Sequence, residues 1–306
     1  MPFIRARWRP VLLAATLLLS LQPMLGATMN DAIATQVDAA FAAARQGRYD
    51  LISELGEQGA NAIPHLGPYL QDPNEMVRLQ AVSLLAATTD DRAAPLLAKA
   101  LTDASQDLRA RAALALYEQH DPLRLAQRPE LGAALRASVN QGNDAAAAVL
   151  LLGYFPGKDT LAALAALTAR AADAKTELAA WTPVVPVSLV VQISQSQLGD
   201  AKARSALLHT SLNGPLAERR FLLSVLREID APELLHALAQ TLDDTQEIGG
   251  GAPAGAEPKR RLCDLAVVAL TRRLKLPVQF ELSDTRRFSP AEIASVRQLM
   301  AGALPR

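Results

Sequence analysis

Pro64-His65-Leu66-Gly67-Pro68-Tyr69-Leu70-Gln71-Asp72 runs into Val77-Arg78-Leu79-Gln80-Ala81 and ends at Leu84-Leu85. Thirty-one residues on, Pro95-Leu96-Leu97-Ala98-Lys99-Ala100-Leu101-Thr102-Asp103 runs into Leu108-Arg109-Ala110-Arg111-Ala112 and ends at Ala115-Leu116. The Pro, Leu, Asp, Arg and Ala positions recur at one offset. A period of this size marks a repeat array, in which each unit is a supersecondary element too small to bury its own apolar face. Within each unit the second half spaces its apolar residues at i, i+4, i+7 and i+8: Val77, Ala81, Leu84 and Leu85, then Leu108, Ala112, Ala115 and Leu116. That is the stripe of a helix packed on one side. Asp72-Pro73 reads as the turn between two helices. Pro suits the first helical turn, so the second helix is expected to begin at Pro73 with Asp72 as its N-cap.

Outward from this pair the helical pattern continues with weaker repetition. Asn30 to Arg45 carries Ile33, Val37, Ala40 and Phe41 on one face, and Gly47 ends it. Asp50 to Gly59 follows. Pro129–Val139 and Asp144–Leu152 form a third unit around a Gly142-Asn143 turn. Asp159–Ala172 is helical, and Val187–Leu198 is read as a helix despite its β-branched residues. Pairs follow at Gly199–Leu212 with Pro215–Ile229, and at Ala231–Leu242 with Pro258–Leu274. Leu262–Leu270 overlays Val77–Leu85 at the apolar positions, with Cys263 where the repeat has Arg78. Pro277–Leu282 reads as extended. Ser289-Pro290-Ala291-Glu292 has the form of a capping box that opens a last helix.

The pattern Pro-x-Leu-x-x-x-Leu-x-Asp, then apolar-Arg-x-x-Ala-x-x-Leu-Leu, resembles a HEAT repeat, most clearly over residues 59–118. The resemblance implies an all-α fold, a right-handed α-solenoid of stacked antiparallel helix pairs, with the second helices lining a concave face. It also implies that Asp72, Arg78, Asp103 and Arg109 take part in a structural polar ladder between neighbouring repeats. The expected organisation is a leader over 1–27, a HEAT-like domain over 28–275 with a loop insertion at 245–257, and an extended segment with a capping helix over 276–306.

Composition agrees with a globular helical chain. Of 306 residues, 50% are hydrophobic, 20% are charged and only 4% are aromatic, so the core is built from Leu, Ala and Val. The formal net charge of zero argues against a general nucleic-acid binder. Charge is unevenly placed: residues 257–306 hold ten Lys and Arg against five Asp and Glu, whereas 28–256 hold eighteen against twenty-six. The basic end reads as ordinary solubilising charge or as a docking face. Arg5, Arg7 and Arg9 precede an apolar run from Val11 to Leu21, broken by Pro23. That run is too short to span a bilayer and reads as a secretory signal, so the mature chain is expected outside the cytoplasm. An uncleaved anchor is the alternative. Cys263 is the single cysteine, so no internal disulfide forms.

No motif for chemistry stands out, so no catalytic, cofactor or metal residue is assigned. The four histidines are scattered, and neither Asp90-Asp91 nor Asp243-Asp244 has ligand spacing. Gly249–Gly255 lacks the preceding strand of a dinucleotide loop and reads as a linker. Lys259-Arg260-Arg261 is placed early in a helix, where the dipole opposes cations, and reads as a solvated turn or an anion-binding cluster. Cys263 is read as a buried, inert thiol, although the neighbouring arginines favour a thiolate. Trp181 is read as a packing anchor, with a ligand platform as the alternative. The expected function is non-catalytic protein binding by the concave face, with Gln80, Ser83, Arg111, Arg219, Ser224 and Arg227 as face residues and Lys259, Arg260 and Arg261 as an added basic surface. An enzyme on a helical-repeat scaffold and a purely structural envelope spacer are the rival readings.

Overall fold

A computed structural model describes residues 29–248 and 259–303. The leader at 1–27 and the Gly249–Gly255 stretch lie outside the described residues. The chain divides into two compact units, the first ending at Ala100 and the second beginning at Leu101.

In the first unit, helix α1 (29–44) ends in a turn where Gly47 takes a φ of 78°. Helix α2 (Asp50–Gln58) follows, then the short α3 (Ile63–Leu66), a 3-10 turn over Gly67–Gln71, α4 (Glu75–Ala86) and α5 (Ala93–Ala100). Phe41 and Tyr69 stack with centroids 3.9 Å apart and supply the aromatic part of this core.

Helix α4 begins at Glu75, two residues later than the sequence suggests, and its cap is Asn74, whose side chain accepts the Met76 N–H at 2.9 Å. The expected cap, Asp72, is engaged elsewhere. Its carboxylate accepts the Asn74 N–H at 2.9 Å and two hydrogen bonds from Arg45, at 2.6 and 2.8 Å. Burial opposes ionisation of Asp72, but the Asn74 N–H and the Arg45 guanidinium outweigh it and hold the carboxyl below the usual range.

The repeat therefore has a hydrogen-bonding meaning. Arg78 donates to the Asp72 carbonyl at 2.8 Å, and Arg109 donates to the Asp103 carbonyl at 2.8 Å, six residues back in both units. Asp103 accepts the N–H of Ser105, two residues on, as Asp72 accepts that of Asn74. Val77, Ala81 and Leu85 are fully buried as the stripe requires, together with Val82; Leu84 is only half-buried. Leu108, Ala112, Ala115 and Leu116 are all buried.

The second unit runs α6 (Gln106–Gln119), α7 (Pro122–Leu125), α8 (Pro129–Asn140), α9 (Ala146–Leu152), α10 (Lys158–Arg170), β1 (Lys175–Thr176), β2 (Val185–Pro186), α11 (Val187–Gln197), α12 (Ala201–Asn213), α13 (Leu216–Ser224), α14 (Pro232–Ala239), α15 (Leu262–Leu274) and α16 (Pro290–Ala303). All seven residues of α9 are buried, because a helix that is apolar all round is enclosed by its neighbours. Those neighbours are α6, α8 and α11. Helix α11 forms despite its valines because Val187, Val190 and Val191 are buried, and burial outweighs their modest helix propensity. Further contacts join α11 to α12, α8 to α10, α12 to α14, α9 to α11 and α13 to α15. Pro277–Leu282 forms no strand; the two-stranded antiparallel pair lies at β1 and β2 instead. The capping box of α16 is present, with Ser289 N–H on the Glu292 carboxylate at 2.7 Å and Glu292 N–H on the Ser289 hydroxyl at 3.3 Å.

The two segments flanking the insertion are joined by their backbones. Ile248 N–H reaches the Arg260 carbonyl at 2.8 Å, Leu262 N–H the Gln246 carbonyl at 2.9 Å, and Cys263 N–H the Asp244 carbonyl at 2.9 Å. Helix α15 accordingly starts at Leu262. Lys259 and Arg260 precede it, so the expectation that the basic run occupies its first turn is corrected. The start is set by Asp264, whose carboxylate reaches back to the Arg261 N–H at 2.8 Å. No helix among the described residues is long and apolar enough to cross a membrane.

Candidate functional site

Helices α13 and α15 present two stripes to one groove. Arg220, Leu223 and Ser224 stand at i, i+3 and i+4 on α13, with Arg227 in the 3-10 turn that follows it, and Leu265, Val268, Ala269 and Arg272 stand at i, i+3, i+4 and i+7 on α15. The groove has two ends that share Trp181, Ser224, Leu265, Arg272 and Asp284, with volumes of about 420 and 450 Å³. Leu223, Val268 and Leu226 form a buried apolar floor.

Trp181 forms one wall. It sits in the turn between β1 and β2, and Thr182 holds that turn: its hydroxyl oxygen accepts the N–H groups of Leu178 and Ala179 at 3.0 and 3.1 Å and donates to the Ala179 carbonyl at 2.8 Å. With Leu178 and Val185 buried beneath, the indole faces outward at 67% exposure. The packing-anchor reading of Trp181 is thereby corrected. Trp181→Ala is expected to shift stability by no more than about 0.5 kcal/mol, as for other exposed positions; a urea midpoint displaced well beyond that would restore the anchor role.

Arg227 is held at the groove edge by a buried polar cluster. Its guanidinium lies 3.7 Å from the Tyr117 ring centroid, donates to the Tyr117 carbonyl at 2.7 Å and to Glu228 at 2.6 Å. The Glu228 side chain is fully buried and also accepts from Gln197 at 2.9 Å and from the Tyr154 hydroxyl. Burial, then the charge of Glu228, pushes the phenols of Tyr117 and Tyr154 upward. Arg272 pairs with Asp284 at 2.9 Å and Arg273 with Asp230 at 2.7 Å.

The expected face residues are therefore sorted by the fold. Ser224, Arg227 and Arg260 line the groove. Ser224 also back-bonds to the Arg220 carbonyl at 2.9 Å. Arg219 faces a different hollow, where it pairs with Asp244 at 2.5 Å and holds the Gly214 carbonyl at 3.1 Å. Arg45 on Asp72 and Arg219 on Asp244 are equivalent: each clasps the aspartate at a helix-pair turn, and Asp244 also accepts the N–H two residues on. Arg111 is exposed on α6. Gln80 and Ser83 are half-buried on α4 in the first unit, with Ser83 donating to the Leu79 carbonyl. Lys259 is exposed, and its carbonyl accepts from Arg287. Arg261 forks onto the fully buried Asp264 at 2.7 and 3.0 Å and donates to the Phe288 carbonyl at 2.8 Å. Cys263 is 1% exposed, and burial raises its thiol.

Sequence reasoning found Ser224 and Arg227, missed Arg220, Leu223 and the α15 stripe, and preferred an anchor to a ligand platform for Trp181. The i, i+3, i+4, i+7 pattern of 265, 268, 269 and 272 was readable, but the stronger core stripe of the same helix masked it.

Residues 35–117 match the family model of HEAT repeats, and that stretch is a HEAT-repeat segment of a chain otherwise dominated by helices. Comparison with curated proteins finds no match.

Proposed function

We propose that the protein is an exported, non-catalytic HEAT-like scaffold that binds another protein. Its helix pairs stack as a right-handed α-solenoid, with the second helices forming the binding face. Contact of like helices with like (α9 with α11, α13 with α15) supports this stacking. The arginine-rich, apolar leader at 1–27 supports export. The observation that carries the binding role is the groove between α13 and α15, with an exposed Trp181 and arginines at its rim. Trp and Arg are the residues most enriched at the energetic centres of interfaces.

The experiment places a photo-crosslinking amino acid at position 181 of the full chain in growing cells, with position 123, where Leu123 is 67% exposed outside the groove, as control. A discrete adduct from 181 alone, recovered with the protein outside the cytoplasm, is the expected result. Equal labelling from both positions, or none, overturns the binding role.

A further inference from the structure

The lining of the groove is basic, although residues 28–256 hold more acids than bases. Arg220, Arg227, Arg260, Arg272 and Arg273 line it, and Asp284 is the single carboxylate among the described lining residues. Glu228 and Asp230 stand behind Arg227 and Arg273, with the Glu228 side chain fully buried. With both counted, five guanidiniums still stand against three carboxylates. Charge acts through space, so such a lining attracts acidic groups at its rim without direct contact with each guanidinium. The ion pairs already present do not cancel this. Arg272 and Asp284 are exposed by 57% and 58%, and a pair so exposed is weak enough to exchange partners.

The shape of the groove selects the backbone of its occupant. Its walls are two helices, whose backbone N–H and C=O groups bond within themselves. They offer no strand edge to an extended chain, so an occupant must satisfy its own backbone, as a helix does. The two hollows are also offset along α13: one is lined by Leu223, Ser224, Leu226 and Arg227, the other by Arg220 and Ser224. That offset is about one helical turn, roughly 5 Å. Apolar side chains at i and i+3 or i+4 of a helix are about 5–6 Å apart, so one can enter each hollow.

The floor and the rim give that helix two faces. Leu223, Leu226 and Val268 are buried, Leu265 and Ala269 are half-buried, and the exposed Trp181 stands above them, so the side laid in the groove is apolar. The rim is cationic on both sides, with Arg220 and Arg227 from one wall and Arg272 and Arg273 from the other. Burial pushes the Arg260 guanidinium downward; Asp284 and Asp264 oppose this, and Arg220 adds to it. Two cations thus repel each other within the groove, and acids on a partner relieve that repulsion from the rim.

We propose that the groove between α13 and α15 receives an acidic amphipathic helix of a partner protein, its apolar face on the floor and its Glu and Asp residues along the arginine rim. The proposal rests on the protein-binding reading of the groove and names the chemistry of the partner. Charge complementarity supplies specificity and the apolar floor supplies affinity.

The test uses the full chain with Trp8→Phe, which leaves Trp181 as the single indole. Its emission is followed during titration with an acetylated and amidated peptide of two Leu-Glu-Ala-Leu-Leu-Glu-Glu heptads. Two companion peptides carry Lys in place of every Glu, or the same composition in an order that breaks the Leu stripe. The acidic helix should saturate the signal and bind at least tenfold more tightly than either companion at low salt, with its lead over the Lys peptide shrinking as salt rises. Arg272→Glu should weaken the acidic helix about tenfold, and the milder Arg272→Gln about threefold, which keeps the test open if the first variant fails to fold. Arg111→Glu, exposed on α6 and outside the groove lining, should change it less than twofold. No binding of the acidic helix, equal binding of either companion, or an equal effect of Arg111→Glu overturns the proposal. Trp181 emission that changes with protein concentration alone also overturns it, since a second copy then fills the groove. If the proposal is overturned while the adduct from position 181 persists, the groove still binds a partner and only the acidic-helix chemistry is wrong. Loss of both removes the protein-binding reading itself.

Discussion

Glu228→Ala lowers the unfolding free energy by about 3–5 kcal/mol, the cost of breaking a buried charged pair from one side. The carboxylate has no exposed surface and gathers four groups drawn from widely separated parts of the second unit: Arg227 beside it, Gln197 at the end of α11, Tyr154 after α9 and, through Arg227, the carbonyl of Tyr117. Its removal leaves the Tyr154 hydroxyl and the Gln197 amide without their acceptor in a region from which water is excluded. Arg227 is 44% exposed and recovers part of its hydration, which keeps the effect within this range. Glu228→Gln retains the volume and one acceptor, so its cost is smaller, about 1–3 kcal/mol. Urea denaturation followed by far-UV circular dichroism gives both values. An Ala variant within about 1 kcal/mol of the parent would mean that the cluster is dispensable. The same cluster explains a glycine. A Cβ on Gly153 would stand 1.7 Å from the Gln197 side-chain oxygen and would push that amide off Glu228.

Asp264→Asn costs about 3 kcal/mol at neutral pH, the lower end of the range for a buried pair because the amide keeps the volume and one acceptor oxygen. Asp264 is fully buried and accepts from the Arg261 side chain, from the Arg261 N–H and from the Phe288 N–H at 2.9 Å. Burial opposes its ionisation, and the Arg261 fork with the two backbone donors prevails, holding the carboxyl below its ordinary range. A group depressed in the folded state stabilises the fold above its unfolded pKa of about 3.9 and loses that contribution as the pH falls through the lower folded value. The gap between the parent and Asp264→Asn is therefore flat from pH 7 to 5 and narrows below about pH 4. A gap that stays constant to pH 2 would show that the carboxylate contributes by shape alone. Because Asp264 also fixes Phe288, the variant should loosen the chain around that residue first, as read by hydrogen exchange.

The helices were legible where the physics is local. Apolar spacing identifies α4, α6 and α8, and the Ser289 and Glu292 pair marks the start of α16 at Pro290, where the sequence signal places it. The Asp72 cap failed for a non-local reason: Arg45, twenty-seven residues away, takes the carboxylate, and Asn74 remains to cap the helix. Trp181 failed similarly, because its exposure depends on a Thr182-pinned turn that no periodicity reveals. Arg219, Arg227 and Arg261 look alike in the sequence as surface cations, yet each reaches a group that only the fold brings near: the Asp244 carboxylate, the Tyr117 carbonyl and the Phe288 carbonyl.

The backbone ladder between 244–248 and 260–263 also fastens the two ends of the segment that it closes. The ends of that segment are fastened before the segment itself begins, so lengthening it twofold adds only about 0.6 kcal/mol of closure entropy. The ladder thus acts as a clasp, and exchange of the sequence between Ile248 and Lys259 is expected to leave the backbone pairing of 244–248 with 260–263 in place.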